Sequence, residues 1–457
     1  LEATGTGIAE VALSLTGPGD LSLQRRFALT VRPAQTVQTE RRTVWLAPGS
    51  MLRLDPALSS DLRPETVRTG VTVGTAPTFD LPHLLGALYR YPYGCLEQTV
   101  STAMPLLYVD DLAAYAGQDE DPAELRERVQ KAIWRILNMQ RSDGAFSLWD
   151  AYGPAEPWLS AYALDFLSRA REAGLAVPDG AYAQGLDWLK SGIVEQAQWT
   201  ADSVARPYAL YVLAKAGRTD IVGAARYLAD NRAGRLTYGA RGHLAATLAR
   251  LGETDRAAKL LADTDVPARD WWRHDYGTRL RDAALRLTVL TETGGDSKTI
   301  ASLADQVADL AAKRRWLSTQ EMSWLVLAAK AMIQRQQAVT AEIDGRLTGP
   351  QTRPIAAFPT QEQLERGYVI SNRGGDTVRI AVSSTGVPTS PLPPETQGFT
   401  VERTIRTLDG TLVADGAELV QGERYVVLLN GSSEAAREHQ ALLVDLLPAG
   451  LEIENTR

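Results

Sequence analysis

A chain of 457 residues is longer than one ordinary domain, so about two to four are expected. Hydrophobic residues make up 44% and charged residues 23%, the balance of a folded globular chain rather than a disordered one. The net charge of −7 argues against nucleic-acid binding, and no apolar run approaches the roughly 18 residues needed to span a membrane. The single cysteine, Cys95, excludes an intrachain disulfide without identifying a redox compartment. The chain opens at Leu1 with no signal-peptide pattern and stops inside a β pattern, so a piece of a longer protein is expected.

Residues 1–75 read as β structure. Val11, Leu13 and Leu15 alternate, Gly17-Pro18-Gly19-Asp20 marks a turn, and Phe27, Leu29 and Val31 alternate again, which predicts a hairpin. Short strands are expected at 43–46, 51–54 and 67–73. From about Phe79 the pattern turns helical. Pro92 stops any upstream helix, and after Gln98 the residues Thr99, Val100, Met104, Leu107 and Leu112 fall at helical spacing. Asp121 and Pro122 open a helix carrying Leu125, Val129, Ile133 and Ile136. Helical spacing recurs around 158–166, 208–216, 244–251 and 283–290, and Ser318 with Glu321 forms a capping box before Trp324. Gly174, Gly217, Gly252 and Gly294 each sit where a glycine ends a helix. Roughly a dozen helices with short loops predict stacked hairpins, whose natural closed form is an α/α toroid of about six.

After Gln336 the chain returns to β, with strands expected around 341–343, 368–370 and 378–382 and a Pro-rich connector at 387–394. Asp409-Gly410 predicts a hairpin between 399–408 and 411–413. Further strands are expected at 425–429 and 441–446, and Asn430-Gly431-Ser432 reads as a turn.

The stretch Tyr91-Pro92-Tyr93-Gly94-Cys95-Leu96-Glu97-Gln98 carries the chemistry. Gly94 permits φ > 0 before the cysteine, Cys95 falls at a helix N-terminus and Gln98 in its first turn. Residues three apart on a helix have Cβ atoms about 5–6 Å apart, so a thiol and a carboxamide can meet. A helix N-terminus lowers a thiol pKa, which favours attack on the amide and an internal thioester. The residues alone leave other readings open. A lone cysteine is often a small buried hydrophobe. Gln98 could be the N3 member of a capping box, although Cys95 is a poor N-cap for one. Glu97 could simply favour the positive helix end.

The run Tyr93 to Gln98 closely resembles the Gly-Cys-x-Glu-Gln thioester motif of the α2-macroglobulin and complement C3 superfamily. With Tyr91 and Pro92 it resembles the bacterial α2-macroglobulin branch. Met139 to Phe146, Trp158 to Tyr162 and Trp316 to Trp324 are similar to segments of that family's thioester domain. Leu29 to Ala34 resembles the stretch before it, and Leu446 to Glu454 resembles the opening part of the bacterial C-terminal macroglobulin domain. The resemblance implies an α/α toroid of about six helical hairpins inserted in a CUB-like β-sandwich, then a partial macroglobulin β-sandwich. The implied boundaries are 1–75 (the end of a preceding β domain and the first part of the CUB-like domain), 76–338 (toroid), 339–395 (second CUB-like part) and 396–457. Segments near 40–75 and 340–390 are then expected to pair.

The resemblance further implies a broad-range protease inhibitor rather than an enzyme. A Cys95–Gln98 thioester, supported by Gly94 and Glu97 and shielded by Tyr91 and Tyr93, is transferred to lysine amines of a trapped protease. Its partners are proteases and the rest of its own parent chain, including a bait region absent here. The implied location is the periplasm, with a lipid anchor in a preceding segment.

No zinc-protease, serine-hydrolase or phosphate-loop motif occurs, and His83, His243, His274 and His439 have no metal spacing, so neither metal nor cofactor is expected. Some complement relatives use a histidine for transfer to hydroxyls. None stands between about 190 and 215 here, which favours amines and argues against a complement-like surface-tagging protein. Trp271-Trp272 reads as helix packing. Toroid enzymes of the terpene cyclase or prenyltransferase type need aspartate clusters or zinc ligands. Asp110-Asp111 is the nearest approach and lacks the rest.

Overall fold

Helices form where apolar residues recur at helical spacing, and they stop at glycine. The structure, a computed structural model, describes residues 7–19, 21–31, 33, 35–90, 94–108, 112, 122–195, 204–263, 265–268, 275–314, 316–390, 393, 395–396, 398–434, 442–447 and 450–454. Tyr91, Tyr93, Asp110, Asp111, Trp271, Trp272, His274 and His439 lie outside the described residues. Among the described residues, the first six helices of this region are α1 (Leu81–Arg90), α2 (Leu96–Leu106), α3 (Pro122–Leu137), α4 (Pro157–Glu172), α5 (Asp179–Trp188) and α6 (Ala205–Lys215). The next six are α7 (Val222–Asn231), α8 (Tyr238–Arg250), α9 (Thr254–Leu261), α10 (Arg279–Glu292), α11 (Ser297–Ala312) and α12 (Thr319–Ile333). Gly174, Gly217, Gly252 and Gly294 take φ of 77°, 80°, 82° and 74°. In each case the next residue's N–H bonds back to the helix, as Leu175 N does to Ala170 O at 2.9 Å. This left-handed stop is one that side chains with a Cβ resist.

The helices alternate in burial. α2, α4, α6, α8, α10 and α12 are buried almost all round, whereas α7, α9 and α11 bury one stripe. A helix apolar on every side must be surrounded by others. The six buried helices touch in sequence, α2 to α4, α6, α8, α10 and α12, and α12 packs again on α2. The ring closes, and its second-layer helices complete an α/α toroid.

Strands on both sides of the toroid build one β-sandwich. β3 (Gln38–Leu46), β4 (Met51–Leu54) and β5 (Arg68–Gly74) precede it. β6 (Val339–Ile343), β7 (Arg346–Gln351), β8 (Ile355–Ala357), β9 (Tyr368–Asn372) and β10 (Val378–Gly386) follow it. The two antiparallel sheets run β3-β10-β5-β8 and β4-β9-β6-β7, so each draws strands from both sides. Leu46, Val71, Val73 and Ile380 of one sheet share a core with Leu54, Ala341, Ile343 and Ile370 of the other. Asn372 locks this pairing. Fully buried, it donates from Nδ2 to Leu46 O at 2.9 Å and Asp376 O at 2.8 Å. Glycines let the toroid approach β5: a Cβ on Gly74 would lie 2.5 Å from Gln336 Oε1.

An earlier hairpin pairs β1 (Gly7–Gly17) with β2 (Leu21–Val31), as the alternation predicts, and its apolar residues are exposed. The chain divides into two units, Leu1–Ser390 and Pro391–Arg457. In the second, β11 (Phe399–Thr407) pairs with β12 (Tyr425–Ser433). The Asp409-Gly410 turn forms, but its return arm makes one bridge, Arg406 to Leu412, and β12 takes the place beside β11. Asn430, Gly431 and Ser432 are not a turn. They sit inside β12 opposite Glu402, Val401 and Thr400, because the strand ladder overrides the local turn preference. Residues 442–447 form no strand.

The junction from sandwich to toroid holds two consecutive residues in left-handed backbone, Phe79 (φ 49°) and Asp80 (φ 62°), a conformation that costs residues with a Cβ energy. Arg41 of β3 pairs with Asp80 at 2.8 Å, and Arg41 also donates to Arg314 O before α12. Burial pushes the Asp80 carboxyl up to about 6, against the pull of Arg41 and Ser383. An acid raised by folding contributes stability below its unfolded pKa and loses it as pH rises through its folded one. Asp80→Asn should therefore flatten the pH dependence of thermal unfolding between about pH 4 and about pH 6, read by circular dichroism.

Candidate functional site

Cys95 is the N-cap of α2, in extended backbone (φ −78°, ψ 175°). Leu96 N donates to Leu148 O at 2.8 Å, and Arg135 donates to Gly94 O at 2.8 Å, so neighbouring elements fix the chain on entry to the helix. Gln98, one turn in, folds back over the cap, and its Oε1 accepts from Cys95 N at 3.4 Å. The Cys95 sulfur faces the Gln98 backbone N–H in return, so the reciprocal pattern of a capping box is present with a thiol as its cap.

Gly94 is needed for a reason other than the one read from the sequence. Its φ is not positive, but a Cβ there would lie 2.2 Å from Gln98 Oε1. Only glycine leaves room for the carboxamide. Thr99 and Thr102 donate their hydroxyls to Cys95 O and Gln98 O, both at 2.9 Å, which keeps these small polar residues satisfied inside α2.

Glu97 points the other way, into the seam between α2 and α12. Its carboxylate accepts from Ser101 Oγ at 2.7 Å, Thr319 Oγ1 at 2.9 Å and Gln320 Nε2 at 3.0 Å. Gln320 Nε2 also reaches Ser101 Oγ at 3.0 Å. All partners are donors, which suits an acceptor-only carboxylate. The start of α12 is itself held: Ser318 and Glu321 form the expected capping box, and Thr278, the N-cap of α10, donates to Glu321 at 2.7 Å.

The electrostatics correct the expectation of an acidic thiol. Burial pushes the Cys95 thiol up, the Gln98 N–H pulls it down, and Glu97 adds to the rise. Desolvation outweighs the helix N-terminus because Cys95 is only 8% exposed. Tyr276, in left-handed backbone (φ 53°), has its ring 6.0 Å from Trp158. Burial raises its phenol pKa, as do Glu156, Cys95 and Glu97.

The site residues read from the sequence, Gly94, Cys95, Glu97 and Gln98, form one turn. The proposed shields Tyr91 and Tyr93 lie outside the described residues. Sequence reasoning missed Ser101, Thr319, Gln320 and Tyr276. Thr319 and Gln320 lay in a stretch noted for its capping box and its resemblance, neither of which points to Glu97. Ser101 offered the one local signal, four residues after Glu97 and so on the same helix face. His243 is buried between the Tyr208 ring at 3.9 Å and the Tyr211 ring at 5.2 Å, and burial pushes its pKa down to about 3, so it stays neutral. Among the described residues, no cluster of His, Cys, Asp and Glu could hold a metal, and no helix is long and apolar enough to cross a membrane.

In a Gln98→Ala chain, where Cys95 is a simple thiol, iodoacetamide alkylation should keep accelerating above the pH at which free cysteine levels off. A plateau at or below that pH would contradict a thiol raised by burial.

Residues 69–203 match the family described as the A-macroglobulin TED domain, and residues 398–457 match the bacterial alpha-2-macroglobulin MG10 domain. The chain is 31% identical to alpha-2-macroglobulin of Escherichia coli (strain K12) over 474 aligned positions, covering 99% of this chain and 28% of that protein. It is 30% identical to the alpha-2-macroglobulin of Xylella fastidiosa (strain Temecula1), covering 99% of this chain and 29% of that one. The chain thus spans under a third of the length of these curated relatives. Among solved structures, native Escherichia coli alpha-2-macroglobulin from domain MG7 to the C-terminus superposes with a TM-score of 0.78 at 28% identity, covering 94% of this chain and 70% of that one. Salmonella alpha-2-macroglobulin reacted with methylamine gives 0.75 at 29% identity, covering 94% and 29%. Two domain matches in chain order and similarity along the whole chain lead to one conclusion: the chain belongs to the bacterial alpha-2-macroglobulins.

Proposed function

We propose that Cys95 and Gln98 form an internal thioester, and that the parent protein uses it to trap attacking proteases covalently. The observation that carries this reading is the Gln98 carboxamide folded onto Cys95 across Gly94, where a Cβ has no room. In the forming step the Cys95 sulfur bonds to Gln98 Cδ, the Cδ–N bond breaks, and ammonia leaves with the thiol proton. The Cys95 N–H, 3.4 Å from Oε1, stands where negative charge develops on that oxygen. In the trapping step a protease lysine amine attacks the same carbon. An amide forms, and sulfur departs with the amine's proton as a free thiol.

Each bond is consumed once, so the chain acts stoichiometrically and not as an enzyme. A thiol raised by burial is a poorer leaving group, which keeps the stored acyl group latent until the turn is exposed. The Salmonella relative reacted with methylamine, and Escherichia coli relatives activated by elastase and by trypsin, support the amine and the protease in this scheme. The bait segment belongs to the parent chain, and the same reading places that parent in the periplasm. Its domain limits would be 1–75, 76–338, 339–395 and 396–457, with the two β segments flanking the toroid forming a CUB-like domain.

Intact mass and thiol titration, before and after methylamine, test the proposal. The expected chain is lighter than its sequence by one ammonia and has no titratable thiol. Methylamine then adds once and releases one thiol. Full mass with a free thiol, here and in the full-length parent, would sink the reading. Gly94→Ala should show full mass and a free thiol from the start, because its methyl group displaces the Gln98 carboxamide.

A further inference from the structure

Glu97 is 6% exposed, Thr319 8%, Gln320 1% and Ser101 0%. This polar cluster lies in the seam where the last inner helix meets the first, 222 residues apart in the chain. Thr319 reaches both carboxylate oxygens, at 2.9 and 3.1 Å, and Gln320 reaches the nearer one at 3.0 Å. Glu97 precedes Gln98 directly and stands two residues after Cys95, so its anchoring fixes the rotation of the first turn of α2. The same donors are the first two residues of α12, whose far end runs through residues 334–338 into β6 of the sandwich.

We infer that Thr319 and Gln320 are positioning residues for the acyl chemistry: by clasping Glu97 they hold the Cys95–Gln98 turn in the geometry that lets sulfur reach the carboxamide. The inference rests on the thioester reading above. Neither residue touches the reacting atoms; each acts through Glu97. A rigid rather than merely helical turn is required, because near-attack geometry tolerates little error, and a 1 Å misplacement costs about 100-fold in rate. The clasp also makes α12 a connection between sandwich and thioester.

The test compares Thr319→Val and Gln320→Met with two controls in the full chain. Thr319→Ser keeps the hydroxyl. Ser323→Ala removes another buried α12 hydrogen bond, the one from Tyr162 at 3.3 Å, and leaves the donors to Glu97 in place. Freshly purified protein is measured by intact mass, thiol titre and far-ultraviolet circular dichroism. The expected result is a free thiol and full mass in most Thr319→Val and Gln320→Met chains, from bond formation slowed on the order of 100-fold. Wild type, Thr319→Ser and Ser323→Ala should lack one ammonia.

The inference is overturned if Thr319→Val and Gln320→Met carry the thioester as fully as wild type. It is equally overturned if Ser323→Ala loses it to the same extent, since the seam would then matter only as packing. Should Thr319→Val lose its helical signal, Gln320→Met carries the comparison, as it keeps length and approximate volume. If wild type and the full-length parent both have full mass and a free thiol, the thioester reading itself has failed, and the controls report that by showing the same.

Discussion

A buried carboxylate must find donors. Leaving Glu97 unpaired inside the ring would cost several kcal/mol, and the chain meets that demand by bringing α12 against α2. The hydrogen bonds from Thr319 and Gln320 therefore do more than satisfy one side chain. They lie where the last inner helix packs on the first and the ring closes, one residue away from the carboxamide that folds over Cys95. Ring closure and site geometry depend on the same contact.

The rest of the ring follows the same rule. Asp165 of α4 is fully buried, and although burial pushes its carboxyl up, Arg169 and Lys215 outweigh it and hold the group well below the usual carboxylate range. Arg169 reaches on to Glu292 of α10 at 3.0 Å, and Tyr211 of α6 donates to the same carboxylate. Charges that could not be buried singly are buried as a network, tying α4, α6 and α10 together. Trp158, Tyr162, Tyr208, His243 and Trp324 fill the space between as a chain of touching rings. The result is a rigid frame in which one helix start presents a thiol and an amide.

The frame is attached to the sandwich at both ends of the helical run. At one end Phe79 and Asp80 sit in strained backbone beside the Arg41 pair. At the other, Gln337 N donates to Thr75 Oγ1 at 3.1 Å, linking the outgoing chain to the incoming one. The two crossings therefore lie beside the sandwich, where the Arg41–Asp80 pair and the Gln337–Thr75 hydrogen bond hold the toroid to it. On the proposed reading, this restraint and the burial that raises the Cys95 thiol would both serve to keep a stored acyl group latent.

Much of this was legible along the chain. The β-helix-β order, the helices and their glycine stops, the Ser318 capping box and the turn holding Gly94, Cys95, Glu97 and Gln98 all depend on residues within about one turn of each other, where spacing and capping chemistry decide. Local signals failed where a ladder or burial overrode them. Asn430-Gly431 is strand because β11 pairs across it. Gly94 is needed for space, not for positive φ, because Gln98 lies over it. Cys95 is raised rather than acidified, because desolvation depends on the whole fold packed around a helix start. Two of the three partners of Glu97 were beyond reach of any local pattern: Thr319 and Gln320 stand more than two hundred residues away, and only closure of the ring brings their donors to its carboxylate.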